Sequence, residues 1–326
     1  MNRKLVNIVL IVLALAIVVI IGKDFIGNKA GKNTVNPYKY DVSEFRKVDS
    51  TAILFREAGT FPVNASEPKG VAVSGKQIIV VSEKLLLKYD YSGKELLRKD
   101  LPDTANCVTV DSNNEIWIGM LHSVALFDQG GTLLKRWNSF GDRSVITSVA
   151  VSGETVYVAD AGNRIVYQCN TNGQVLSKIG EKDEAKGVPG YIIPSPYFDL
   201  ALDDNHFLWV VNPGRHNLEN YNADGSIRTS WGKASFKIEG FTGCCNPAHF
   251  AIMADNSFIT SEKGMPRIKL YGQHGEFLGV VASPDMFDQD SYLAPDIAID
   301  SEQRVIALDM ERKQVRIFER KENGNK

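Results

Sequence analysis

The chain has 326 residues, 44% of them hydrophobic and 23% charged, and a net charge of −2. This is ordinary globular composition, long enough for one large domain or two medium ones. It excludes the global basic field that holds nucleic acid, so no nucleic-acid partner is expected, and four cysteines in a chain of this length exclude a disulfide framework.

The N-terminus stands apart. "MNRK" is followed by "LVNIVLIVLALAIVVII", residues 5–21, in which Asn7 is the one polar residue. The run is at the short end for a membrane-spanning helix and longer than the usual apolar region of a secretion signal. Residues 1–22 are therefore expected to be an uncleaved signal anchor, with a cleaved signal peptide as the alternative. Arg3 and Lys4 favour an inside N-terminus, against Lys23, Lys29 and Lys32 behind the run. The remainder is expected outside the cytoplasm, in the periplasm or at the cell exterior. Residues 23–47 read as a polar tether and residues 322–326 as a disordered tail.

Residues 48–321 carry a repeat. "KGVAV" (69–73), "NCVTV" (106–110), "TSVAV" (147–151), "FDLAL" (198–202), "HFAI" (249–252) and "PDIAI" (295–299) are versions of one short strand. Val71, Val108, Val149, Leu200, Phe250 and Ile297 mark them at spacings of 37, 41, 51, 50 and 47 residues. Each is followed by a second apolar strand, such as "TVYVAD", and a third, such as "RIVYQC". A glycine turn then leads to a fourth, as at Asn172-Gly173 or Asp224-Gly225. Four short antiparallel strands repeated six times predict an all-β, six-bladed β-propeller. The sixth unit stops at its third strand, so "TAILFREAG" (51–59) is expected to supply the fourth and close the ring.

Residues 148–180, "SVAVSGETVYVADAGNRIVYQCNTNGQVLSKIG", resemble an NHL repeat in the apolar-Ala-apolar strand, "VYVAD", "NRI" and the Asn-Gly turn. The resemblance extends over roughly residues 50–320 and implies a six-bladed propeller. It implies no single function, because NHL propellers serve as binding platforms, sensor domains and enzymes.

Propellers gather their innermost strands around a channel. The residues just before the six markers are Gly70, Cys107, Ser148, Asp199, His249 and Asp296. The same blades that supply Asp199, His249 and Asp296 also carry long connections, at 181–197, 232–248 and 283–295. In a propeller these loops share a face with Arg215, His216, Lys263 and Arg267, which are candidate ligand contacts. Asp199, His249 and Asp296 are candidate ligands for a divalent metal; the competing reading is that the aspartates cap nearby backbone amides.

"GFTGCCNPAHF" (240–250) places Cys244 and Cys245 side by side at this mouth. Three readings stay open: a strained vicinal disulfide for redox or ligand contact, thiolates binding a soft metal with His249, or small side chains filling a loop. Cys169 falls at an offset held by Tyr89, Phe127, Tyr221 and Tyr271 in other blades and is expected in the core. Two functions follow. The first is a membrane-anchored binding or sensor module that receives a protein or small molecule at the mouth. The second is a metal- or thiol-dependent enzyme, a lyase or oxidoreductase, using the same mouth.

Overall fold

The computed structural model describes residues 3–27, 42–288 and 291–322. Six four-stranded antiparallel sheets make up the C-terminal unit, as the repeat requires. Their innermost strands are Pro68–Ser74, Ala105–Val110, Ile146–Ser152, Leu200–Leu202, His249–Ile252 and Asp296–Ile299. Each of the first five blades then runs outward in chain order through its remaining three strands.

The second strands are buried along most of their length, as at Ile116–Met120 and Phe258–Glu262. They lie mid-blade and pack both faces against neighbouring sheets, which is why most read as apolar runs; the buried Thr260, Ser261 and Glu262 of the fifth blade are an exception. The outer strands are largely exposed, as Glu95–Asp100 is. Hydrophobic clusters between adjacent blades hold the ring together; one joins Trp117, Trp137, Val149, Val158 and Cys169. Cys169 is fully buried there, in the core slot its offset predicts. The turn glycines also join blades. Gly173 has φ of 83°, and a Cβ there would stand 2.6 Å from the Trp137 ring of the preceding blade, so the position requires glycine for conformation and for space.

Closure follows the expected route with a shifted boundary. The closing strand is Phe55–Pro62, paired antiparallel with Gln314–Arg320 in the sixth blade. Residues 51 and 52, expected within that strand, fall in a 3-10 turn, Ser50–Ala52, capped by the Asp49 side chain on the Thr51 amide. Ile53 and Leu54 meet Val280 of the fifth blade, where the Leu54 amide donates to the Val280 carbonyl. The chain thus bridges two blades before it completes one.

The N-terminal unit is Met1–Val42 and the propeller unit Ser43–Lys326. Residues 43–47, expected at the end of the tether, belong to the propeller unit: a short helix, Ser43–Arg46, sets Phe45 against Phe236 at 5.5 Å between ring centroids. The rest of the tether from 28 to 41 and the tail from 323 lie outside the described residues. A helix, Arg3–Gly27, covers the expected anchor. Among the described residues, however, no helix is long and apolar enough to cross a membrane. The transmembrane span is therefore not supported by this geometry.

Candidate functional site at the channel mouth

The inner strands enclose a cavity of about 230 Å³ lined by Cys107, Ser148, Asp199, His249 and Asp296 among others. The polar residues before the markers turn out to be fasteners between blades. Asp296 Oδ2 accepts the Val71 amide of the first blade at 2.7 Å. Asp199 Oδ2 accepts the Phe250 amide of the fifth blade at 3.0 Å, while its Oδ1 accepts the amide of Leu200 at 2.9 Å. Ser148 Oγ exchanges hydrogen bonds with the amide and carbonyl of Leu200, both at 3.3 Å. In each case a side chain on one blade reaches the marker backbone of the next. Asp199 Oδ1 thus engages the adjacent amide, whereas Asp199 Oδ2 and Asp296 Oδ2 reach the backbone of another blade.

His249 sits between the two carboxylates. Its Nδ1 lies 3.4 Å from Asp296 Oδ1 and 3.7 Å from Asp199 Oδ2. Burial opposes its protonation, but Asp296 and then Asp199 outweigh burial and raise its pKa. Burial, reinforced by Asp199 and opposed by the His249 charge, pushes the Asp296 carboxyl up to about 6. His249 Nε2 is buried and has no hydrogen-bond partner in the protein. Tyr197 stands edge-on to the imidazole at 5.4 Å.

The metal reading gains no support from the described residues. Among the described residues no group of three or more His, Cys, Asp and Glu side chains is arranged to hold a metal ion. Asp199, His249 and Asp296 do converge. Three of the four carboxylate oxygens also accept a backbone amide. Cys244 and Cys245 likewise form no such group with His249 among the described residues.

The cysteine loop is built from below. Glu262, Arg267 and Lys269 form a fully buried ion cluster, with Glu262 Oε1 2.7 Å from both Arg267 Nε and Lys269 Nζ. Its remaining capacity goes to the loop. Glu262 Oε2 accepts the Thr242 amide and hydroxyl, while Arg267 and Lys269 donate to the Gly240 carbonyl. Asn246, also buried, donates to the carbonyls of Thr242 and Lys263 and accepts the Lys263 amide at 2.9 Å. The Asn246–Pro247 peptide is cis. These contacts fasten the loop to the turn that carries Lys263.

Cys244 is exposed and Cys245 is buried at 2% exposure, and their sulfurs are 3.1 Å apart as free thiols. Burial works against a Cys245 thiolate. Lys263, Ser195 and Cys244 beside the sulfur overcome it and hold the thiol below its ordinary range. Cys244 moves the other way, because the neighbouring sulfur accepts its proton and burial adds a smaller penalty. Lys263 also lies over the Tyr197 ring at 5.1 Å. Cys107 lines the cavity, yet burial raises its thiol strongly, and burial pushes Cys169 up to about 12.

The other expected contacts divide. Lys263 belongs to the cysteine cluster. Arg267, expected at the rim, is fully buried and braces the loop from inside. Arg215 is exposed and His216 half-buried on the turn after Pro213, and neither lines the cavity. Sequence reasoning missed Tyr197 and Ser195. Their one signal is position: they end the long 181–197 connection just before Asp199.

No protein-family model matches the chain, and no curated protein matches it in sequence. Solved structures do resemble it. Virginiamycin B lyase from Staphylococcus aureus has a TM-score of 0.57 at 13% identity over 81% of this chain and 99% of that one. A catalytically inactive histidine-to-alanine variant of that lyase, with quinupristin, gives 0.58 at 14% over 81% and 99%. The WD40 β-propeller domain of Doa1 gives 0.57 at 10% over 82% and 98%. At such identities the likeness establishes the propeller fold and carries no activity with it.

Proposed function

We propose that this chain is an NHL-type propeller that works as a binding module, receiving a small polar ligand or a protein segment at the channel mouth. The observation that carries the reading is His249. Its Nε2 is a buried polar atom without a protein partner, on the wall of a cavity of about 230 Å³. A buried polar group left unpaired costs roughly 1–3 kcal/mol, and a bound group that supplies the partner recovers that cost. The carboxylates on either side are engaged in joining blades, which favours binding over proton-transfer catalysis at this point. We further propose that the N-terminal helix, Arg3–Gly27, holds the protein at a membrane with the propeller outside the cytoplasm. Support for this is the apolar run at residues 5–21.

The test is a thermal-shift screen of small polar compounds and peptides against the full-length protein and the His249→Ala variant. Compounds that stabilise the parent are expected to lose most of that effect in the variant. Equal shifts in both proteins, or no shift with any compound, would overturn the assignment.

A further inference from the structure

We propose that Cys244 and Cys245 form a thiol–disulfide exchange site that reacts with a disulfide presented at the mouth, Cys244 being the sulfur that makes contact and Cys245 the sulfur that resolves. The proposal goes beyond the binding reading and does not depend on it, since it uses neither the His249 nitrogen nor the cavity.

Four observations converge on it. The two sulfurs are 3.1 Å apart, within contact range for attack of one on the other. They differ in access: Cys244 is open to solvent and Cys245 is closed off. Their surroundings differ in kind: Lys263 and Ser195 hold the Cys245 thiol down, whereas the neighbouring sulfur and burial hold the Cys244 thiol up. Finally, the loop is held in place. Asn246 ties it to Lys263, and the Glu262–Arg267–Lys269 cluster holds Gly240 and Thr242 from beneath. Packing alone does not explain a buried ion cluster spent on a surface loop, nor an exposed thiol beside a stabilised one. Cys107 and Cys169 serve as internal contrasts, since each is buried with its thiol held protonated.

The chemistry balances as two exchanges. Cys245 takes the Cys244 proton across the short sulfur–sulfur contact, and the Cys244 thiolate attacks R–S–S–R′. The Cys244–S–S–R bond forms and R′S⁻ leaves. Cys245 then passes its proton to that thiolate, giving R′SH. Its own thiolate, held by Lys263, attacks Cys244 Sγ. The Cys244–Cys245 bond forms, the bond to R breaks, and RS⁻ leaves to be protonated by solvent. One disulfide is reduced to two thiols and the pair is oxidised by two electrons. The reverse sequence, driven by a thiol, reopens the pair. Cys245 is then the leaving group, and a thiol with a lowered pKa leaves faster. A ring closed between adjacent residues lies outside the relaxed disulfide geometry, so it reopens readily. The titratable groups facing the pair are Lys263, Tyr197 and the two thiols themselves.

The experiment treats reduced full-length protein with one equivalent of an aromatic disulfide that releases a coloured thiolate. Wild type is expected to release two equivalents of thiolate, retain no adduct and lose two hydrogens by intact mass. Cys245→Ser is expected to release one equivalent and keep the adduct on Cys244. Cys244→Ser is expected to react at least tenfold more slowly. Lys263→Met retains both cysteines; its resolving step is expected to slow and its pH profile to move upward, with Lys263→Arg restoring both. An adduct that persists in wild type, or no release until the protein is unfolded, would overturn the proposal. The wild-type mass decides the matter even if a variant folds poorly. Failure of exchange leaves ligand binding at His249 untouched, so the two readings fail separately.

Discussion

Asp296 Oδ2 accepts the backbone amide of Val71 at 2.7 Å across 225 residues of sequence, joining the last blade to the first at the channel wall. This is the inner seam of the ring; the strand pairing of Phe55–Pro62 with Gln314–Arg320 is the outer one. The same carboxyl is half-buried and faces His249, so a structural fastener is also a titrating group.

Asp296→Asn keeps the acceptor for Val71 and removes the titration. The wild-type carboxyl rises from 3.8 to about 6 on folding. A pKa raised in the folded state contributes stability that is complete below about pH 4 and is lost as pH rises through 6. His249, also raised, acts in the same direction from about pH 6.5 upward. The variant should therefore gain on wild type between pH 4 and 7, by roughly 3 kcal/mol at about 1.4 kcal/mol per unit. Urea denaturation at pH 4, 5.5 and 7 measures this; a constant difference across the three would count against the assignment.

The outer seam depends on Arg316, which is nearly buried and forks onto both oxygens of Glu57 at 2.9 and 2.7 Å. Glu57→Ala leaves that guanidinium with the Met286 carbonyl and the more distant Asp309 carboxylate at 3.8 Å, and is expected to cost about 2 kcal/mol. Deleting residues 43–62 removes the whole strand, bares the edge of Gln314–Arg320 and should yield aggregated protein. Size-exclusion chromatography and thermal melts read both; a monomeric deletion variant as heat-stable as the parent would show that closure lies elsewhere.

Glu262 neutralises two cations in a fully buried cluster. Glu262→Gln should cost about 3–5 kcal/mol, since it leaves buried charge unpaired. Because Thr242 loses its anionic acceptor, the cysteine loop should loosen first, seen as faster amide exchange at residues 240–246 than in the blades. Uniform loss of protection across the propeller would mean that the cluster supports the blade rather than the loop.

Membrane attachment makes a separate prediction from the apolar run at residues 5–21. Full-length protein should sediment with membranes and resist alkaline extraction. A soluble form with a processed N-terminus would favour the cleaved signal.

The repeat was legible in the sequence because each blade repeats local physics: short apolar strands, polar turns and a glycine where φ is positive. Closure was legible for a similar reason, since a sixth unit lacking one strand leaves an edge to cover. Its register was not, because Asp49 caps a 3-10 turn at residues 50–52 and the strand begins only at Phe55.

The chain order alone determined that Asp199, His249 and Asp296 meet at one mouth, and that Cys244 and Cys245 lie on a loop above it. What those side chains do there was decided by tertiary structure. Backbone amides of the next blade occupy the aspartates, and burial turns Arg267 from a rim cation into a brace. Lys263 and Ser195, from two different loops, make Cys245 unlike Cys244. Hydrogen-bond partners and burial depend on distance in space, and residues brought together by separate blades have no fixed spacing along the chain.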